Sequence, residues 1–333
     1  MEKRQVIVRM DDRVRLISAV LAATTYPDRS QEHKKHGTHP HARATRKLVG
    51  EFGHHPAVHA MQVLVDQGLG LPSMVGYVLR LSWPALEGAE MPRWVPPRWD
   101  EHLRHFYEIT QLAKLWADED SAWQPPLRHL REAFSKVDLV TFLEPFVGPI
   151  PEKLVFMPNI SYPTDQTIGL RVGGELIAIM PPPLAWGDSA PWPYKDDEAL
   201  AYRVALTEYL NILLREYMAF HADAFAQAAQ TPLPVEEQYT ALHPHWDDQF
   251  RGLLRTAAIA LFLEQSVSSL EAKSYMQYMQ KLENLTVLPG MVAVMRHFIE
   301  ESRAGRYGGL VDFLPSFPQQ LREALSVTPR ETG

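Results

Sequence analysis

Cysteine is absent from this chain of 333 residues, and its absence removes several kinds of chemistry at once. A chain without cysteine forms no disulfide scaffold, holds no metal through thiolates and offers no cysteine nucleophile. The hydrophobic content of 46% is nevertheless enough for a large core. We therefore expect a globular protein with one large domain or two closely packed ones.

Excess positive charge is also absent. The formal net charge is -7 and the pI is near 6.1, whereas proteins that bind nucleic acids or anionic membranes need clustered Lys and Arg. No apolar run reaches the length of a membrane span, and the charged start at residues 1–9 has no apolar signal segment behind it. The sequence favours a cytoplasmic protein that binds neither nucleic acid nor membrane, with a small molecule or peptide as its possible partner.

Several familiar catalytic motifs are missing as well. The sequence contains no Gly-x-Ser-x-Gly elbow, no phosphate loop and no dinucleotide fingerprint. The glycines at 169–174 are predicted to serve a hairpin, whereas phosphate binding would require them to begin a helix. Serine hydrolase and nucleotide-binding functions therefore have no support.

Hydrophobic periodicity predicts a chain that is mainly helical, with helices over residues 12–25, 42–52, 56–68, 101–116, 127–140, 197–228, 246–265, 270–285 and 291–302. Three short apolar segments, 153–157, 166–172 and 175–180, predict a small antiparallel sheet with a hairpin turn at Gly173 and Gly174. The expected fold class is α+β and predominantly helical. We expect a helical N-terminal portion, 1–150, and a portion at 151–333 with the sheet, a long helix and C-terminal helices; one continuous domain is the alternative.

The predicted long helix carries Thr-Glu-Tyr-Leu-Asn at positions 207–211. Zinc peptidases use the same spacing for two histidines four residues apart, and the glutamate directly after the first histidine activates the metal-bound water. Here Thr207 and Asn211 stand at the ligand positions, and their neutral oxygens do not hold zinc as an imidazole pair does. Glu208 keeps the position of the base. A solvated polar stripe on the helix is the plainer interpretation of Arg203, Thr207, Glu208, Asn211 and Arg215.

The order of motifs around this segment resembles a bacterial family of uncharacterised proteins, a domain of unknown function with a gluzincin-type metallopeptidase motif. The resemblance spans roughly residues 6–300. It is carried by the segments Asp11–Ser18, Gly53–Val58, Leu103–Tyr107 and Met157–Asn159, together with the segment at 207–211.

This resemblance implies a zincin-like fold, in which a small sheet covers a long helix that carries His-Glu-x-x-His. A downstream helix would supply an acidic ligand, and the matching position here is Arg251 or Gly252. All three metal ligands are then missing, so the resemblance implies a peptidase fold without peptidase chemistry. It leaves Glu208 as a vestigial general base, with Thr207, Asn211 and Arg251 as candidate binding residues.

The 14 histidines leave an alternative open. In it the protein is an active metal-dependent hydrolase or peptidase with Glu208 as general base and zinc held by some of His54, His55, His221, His243 and His245, although no trio among them has sound spacing. The histidines between His33 and His41 fit no specific zinc pattern, and we expect a surface loop there.

The hypothesis that these observations favour is a metal-free pseudoenzyme related to zinc metallopeptidases, without a cofactor. Its cleft is either vestigial or reused to bind a peptide or small molecule, and Tyr202 and His245 complete the set of candidate binding residues. A helical protein-interaction scaffold is the third possibility.

Overall fold

The computed structural model describes residues 4–32, 35–88, 90–185 and 187–327. The α-helices are α1 (Asp12–Ala22), α2 (Tyr26–Ser30), α3 (Pro40–Val49), α4 (Pro56–Asp66), α5 (Leu71–Val78), α6 (Trp99–Ile109), α7 (Leu112–Asp118), α8 (Gln124–Ser135), α9 (Leu139–Val147), α10 (Glu198–Phe220), α11 (Ala222–Ala228), α12 (Glu237–Leu242), α13 (Trp246–Ser266), α14 (Ser269–Glu283), α15 (Leu288–Arg303), α16 (Leu310–Phe313) and α17 (Phe317–Val327). Short 3-10 helices occur at Gly50–Phe52, Asp120–Ala122 and Tyr194–Asp196, and the strands are β1 (Ile7–Val8), β2 (Lys153–Pro158), β3 (Ile168–Val172) and β4 (Glu175–Met180).

The expected fold class, α+β and predominantly helical with a small sheet, is confirmed. The prediction that the sheet is antiparallel is wrong, because its four strands form a mixed sheet in the order β1-β2-β4-β3. β2 pairs in parallel with both β1 and β4, and only the β3–β4 hairpin is antiparallel. The hairpin places β4 between β2 and β3, and both central strands are buried along almost their whole length, as parallel strands covered on two faces require.

The chain divides into two compact units. The sheet unit comprises Gln5–Lys136 and Glu152–Val204, and the helical unit comprises Met1–Arg4, Val137–Pro151 and Ala205–Gly333. Residues on both sides of the 150/151 boundary expected from the sequence therefore occur in each unit. All four strands belong to the sheet unit, whereas Glu208 and the helices from α11 onward belong to the helical unit.

Successive side chains of a strand point to opposite faces of the sheet, and in the sheet unit both faces make apolar contacts. Val155 and Ile177 belong to the core cluster that also contains buried residues of α1, α4, α5 and α6. The neighbouring Phe156 points the other way, and its ring lies 4.8 Å from that of Phe134 on α8. The start of α10 extends this second layer, since the Tyr202 ring lies 5.5 Å from Phe134.

Aromatic rings form a continuous core through the helical unit. Phe142 on α9 contacts Phe262 on α13, with ring centroids 5.0 Å apart. Near the start of α13, Phe250 lies 5.1 Å from Phe317 on α17 and 5.5 Å from Phe225 on α11. Because α13 is buried over most of its length, it is the central helix against which the others pack.

Candidate functional site

The polar stripe predicted on the long helix is present, and its central residues lie in the helical unit. Thr207, Glu208 and Asn211 are all half-buried on α10. Thr207, Asn211 and Arg215 are spaced four residues apart, which places them on one face of the helix. Toward the C-terminal end the stripe becomes exposed at Arg215.

Asn211, at the second degenerate ligand position, is engaged by a cation of the protein. The Arg255 guanidinium on α13 donates a hydrogen bond from Nη1 to Asn211 Oδ1 over 2.8 Å. A metal ligand must offer its lone pair to the metal, and here the amide oxygen already accepts from a positive charge. The fixed charge of Arg255 also repels a divalent cation at this position.

The downstream position expected to carry an acidic ligand is also occupied by other contacts. Arg251 donates from Nη2 to Asp248 Oδ1 over 2.5 Å, an ion pair within one turn of α13. Gly252 faces the hydroxyl of Tyr239 on α12, and a Cβ added at Gly252 would lie 2.3 Å from that oxygen. Neither position provides a carboxylate, and the space above Gly252 is filled.

Tyr202 lies in the packing of the sheet unit. It is only 2% exposed, and its hydroxyl donates to the Ala133 carbonyl over 2.7 Å. Burial raises the pKa of the Tyr202 hydroxyl to about 12. The side chain is therefore a neutral packing group that joins the start of α10 to α8.

The histidines proposed as alternative zinc ligands are dispersed. His54 and His55 belong to the sheet unit, and His221, His243 and His245 to the helical unit with Glu208. His55 accepts a hydrogen bond from the Ala57 amide at the start of α4, and the His221 and His243 rings contact Tyr217 and Tyr239, with centroids 4.5 Å and 4.6 Å apart respectively. Within the described residues, no three His, Asp or Glu side chains are grouped closely enough to hold a metal ion.

A groove of about 600 Å³ lies within the helical unit. We call it the α10–α13 groove. It is lined by Arg215, Met218, Ala219, Ala222, Phe225, Ala226, Ala229, His245, Trp246, Asp247 and Arg251. Two candidate binding residues named from the sequence, Arg251 and His245, are thus brought together in one depression, and Arg215 of the polar stripe joins them.

The aromatic wall of the groove is held in place from behind. The Trp246 ring stacks on Phe250, with centroids 5.0 Å apart and an interplanar angle of 6°. Its indole Nε1 donates to the Thr231 carbonyl over 3.1 Å. At the same end of α13, Gln249 Nε2 donates to the His243 carbonyl over 2.8 Å, which fixes the segment that carries His245.

Contacts at the two ends show that the groove continues the polar stripe. Asn211 meets Arg255 near the middle of α10, and Phe225 on α11 meets Trp246 at the start of α13, with ring centroids 6.5 Å apart. The later residue of the α10–α11 segment, Phe225, contacts the earlier residue of α13, Trp246. The α10–α11 segment and α13 therefore run antiparallel. The degenerate ligand positions and the groove therefore lie along one shared face.

A second polar cluster, centred on buried Arg15 in the sheet unit, was not predicted. The Arg15 guanidinium carbon lies 4.2 Å from the ring centroid of Trp116 and 4.7 Å from that of Trp123, so the cation is held between two indole rings. Its Nη1 donates to Asp12 over 3.0 Å, and burial lowers its pKa. In sequence Arg15 looks like an ordinary polar position on α1, because the two tryptophans approach it only in the fold.

The expectation of a surface loop at the histidine-rich segment is wrong for His36 and His41, which are 7% and 1% exposed. His41 lies in α3, and its Nε2 accepts from Trp123 Nε1 over 3.4 Å, so its Nδ1 carries the proton that is donated to Glu119. These two contacts, with Trp123 and Glu119, satisfy both ring nitrogens of His41, so the ring is buried. His33 lies outside the described residues.

Comparisons with protein-family models, with curated proteins and with solved structures found no match to this chain. None of the helices in the described ranges has both the length and the apolar character needed to cross a bilayer.

Proposed function

We propose that this protein is a metal-free relative of zinc metallopeptidases that uses the shared face of α10 and α13 to bind a peptide or small molecule. The observation that carries the proposal is the hydrogen bond from Arg255 to Asn211, which puts a fixed cation at a position where a peptidase would hold its metal. The proposed kinship rests on the sequence resemblance and on the retained Glu208.

The chemistry of the retained residues fits binding better than hydrolysis. In a zinc peptidase the metal acidifies a water molecule that the glutamate then deprotonates, so the glutamate alone has no comparable reaction to perform. Thr207 and Asn211 carry neutral groups suited to hydrogen bonding, and the neighbouring groove has the size of a small-molecule site. The alternative, an active hydrolase, needs three ligands that converge on Glu208, and the described residues offer no such group.

The kinship is tested by restoring the two histidines at the degenerate positions and then placing a carboxylate at Arg255, beside Asn211. We expect the double variant Thr207→His/Asn211→His to bind zinc poorly, because Arg255 still places a positive charge beside the second histidine. The triple variant that adds Arg255→Glu replaces this charge with a carboxylate ligand and should bind zinc much more tightly. Affinity is measured by competition with a chromophoric chelator.

A matched control makes the same change of charge on a different helix, away from Asn211. Arg303→Glu replaces an exposed arginine at the end of α15 and should not increase zinc affinity when combined with the two histidines. Equal affinity of the double and triple variants, with both folded, would contradict the proposed kinship.

A second candidate function, a helical interaction scaffold, is favoured by the outer face of α14. Leu270, Tyr278 and Leu282 are 75%, 56% and 57% exposed, and they are eight and four residues apart along the helix. When two copies of α14 pair antiparallel about position 276, Leu270 is level with Leu282 of the second copy, and Glu271 with Lys281. This self-complementary order favours a second copy of the chain as the partner.

We expect weak, concentration-dependent dimers in sedimentation velocity, since one helix face is small beside the interfaces of about 1,200 Å² found in stable complexes. Glu271→Lys should weaken the dimer, and the exchange Glu271→Lys/Lys281→Glu should restore it. Glu300→Lys, an exposed substitution on α15, is the control. A monomer at millimolar concentration would contradict this candidate.

A further inference from the structure

The α10–α13 groove has an arginine on each of its two sides. Arg215 is exposed at the rim, and its guanidinium makes no hydrogen bond or ion pair within the part of the chain that the structure describes. Arg251, across the groove, is half-buried and directed by its pair with Asp248. Two guanidinium groups thus line one groove from two helices.

The remainder of the lining is largely apolar. Met218 and Phe225 are buried residues whose side chains contribute to its surface, and Trp246 supplies a rigid aromatic wall. Alanines at 219, 222, 226 and 229 keep the α10–α11 side open. A site with an apolar body and a few fixed polar groups is the usual composition of a small-ligand pocket.

We propose that the α10–α13 groove binds an organic carboxylate whose apolar body packs against Met218, Phe225 and Trp246 while Arg215 and Arg251 hold the carboxylate. A guanidinium matches a carboxylate geometrically and donates charge-assisted hydrogen bonds to it. The free C-terminus of a peptide and an N-acylated amino acid both carry this chemistry. The inference rests on the proposed binding role and uses one of the degenerate ligand positions, Arg251. It does not depend on the peptidase kinship, because it requires neither Thr207, Glu208 nor Asn211.

Asp247 also lines the groove and opposes an anion. Its exposed carboxylate therefore provides a signed test: neutralising Asp247 should strengthen the binding of an anionic ligand, whereas neutralising either arginine should weaken it.

The probe is dansylglycine, whose fluorescence rises in apolar surroundings and which carries one carboxylate. Dansylamide has the same fluorophore without the charge and serves as the matched ligand. We expect saturable binding of dansylglycine to the full chain and clearly weaker binding of dansylamide. Salt should weaken dansylglycine binding more than dansylamide binding.

Substitutions inside and outside the groove lining test whether the probes bind in the α10–α13 groove. Arg215→Gln should weaken dansylglycine by about tenfold, the loss expected for one charge-assisted hydrogen bond, and Asp247→Asn should tighten it. Trp246→Ala should weaken both probes. Arg303→Gln, which removes an exposed arginine outside the groove lining, should change neither.

Displacement identifies the source of the carboxylate. A short peptide with a free C-terminus that displaces dansylglycine, while its C-terminal amide does not, supports a peptide ligand; displacement by N-octanoylglycine alone supports the acylated amino acid. Equal binding of the two dansyl probes, or dansylglycine binding unaffected by Arg215→Gln, would overturn the anion proposal. In that event the zinc measurements on the ligand-restored variants still decide the peptidase kinship separately.

Discussion

The contact between Arg255 and Asn211 shows that an important part of a site's chemistry cannot be predicted from the sequence alone. The positions of Thr207, Glu208 and Asn211 on one helix face follow from helical spacing, and the sequence predicts them. The guanidinium that donates to Asn211 comes from 44 residues further along the chain. Only the packing of α13 against α10 brings this pair together, so the sequence alone does not reveal why the position disfavours a metal.

The same limit applies to Arg15 and His41. Both residues have polar side chains that suggest a solvent-exposed position, and both are buried because other charged or aromatic groups pair with them. Their partners Trp116, Glu119 and Trp123 lie between 75 and 110 residues away in sequence, as the numbering shows. No local pattern connects them.

His39 provides a prediction about pH. Its Nδ1 accepts a hydrogen bond from the His41 amide and caps α3, which requires a neutral ring. Burial, reinforced by the nearby His41 and Arg43, lowers the pKa of His39 to about 4, while an unfolded histidine has a pKa near 6.5. Between these values only the unfolded chain binds the proton, so His39 should reduce stability as pH falls from about 6.5 toward 4.

The measurement is the free energy of unfolding in urea at several pH values across that window. His39→Asn keeps a capping acceptor but cannot titrate, so its stability should fall less with decreasing pH than that of the wild type. His59→Asn, at an exposed site on α4, should follow the wild-type curve. Parallel curves for wild type and His39→Asn would refute the assignment.

Individual elements were predicted with uneven success. β4 and its turn at Gly173 agree with the prediction, because alternation, branched side chains and paired glycines are local signals. The predicted helix at 197–228 is instead two helices, α10 and α11, separated at His221. This segment has neither Pro nor Gly, so local sequence does not mark the break.

Gly252 tests the packing of α12 against α13. Gly252→Ala should lower the free energy of unfolding by about 1–3 kcal/mol, the usual cost of overpacking, because the new methyl group would meet the Tyr239 hydroxyl. Gly50→Ala is the matched control: that glycine has helical angles and open space around it, so alanine should be neutral or slightly stabilising. Urea denaturation compares the two, and equal stabilities would contradict the close contact.

For the whole molecule, composition and periodicity were sufficient to predict an α+β fold with a predominance of helix. They did not predict strand order, since the pairing of β2 with β1 and β4 joins segments distant in sequence. They also did not predict which stretches of chain make up the two compact units, since each unit is assembled from separated stretches. Periodicity identifies which face of an element is apolar, but it does not identify the partner of that face.

At the scale of the whole molecule, the degenerate zinc positions and the α10–α13 groove can be considered together. Arg255 and the α10–α13 groove lie in the same unit, on facing helices, where the guanidinium groups of Arg215, Arg251 and Arg255 occur beside the carboxylates of Asp247 and Asp248. Among them, Arg215 at the groove attracts an anion, and Arg255 repels a divalent cation at Asn211. The proposed binding of an organic carboxylate and the proposed absence of zinc would thus both follow from where these arginines stand.

Zinc content per chain is the most direct test of the proposal that the protein is metal-free. The untagged protein is purified without added metal, exposed to zinc, dialysed and examined by elemental analysis, with Asn211→Ala and a His36/His39/His41 triple Ala variant in parallel. We predict far less than one zinc ion per chain in the wild type, with any residual zinc lost in the triple variant. Stoichiometric zinc that survives loss of these histidines and disappears in Asn211→Ala would contradict the account.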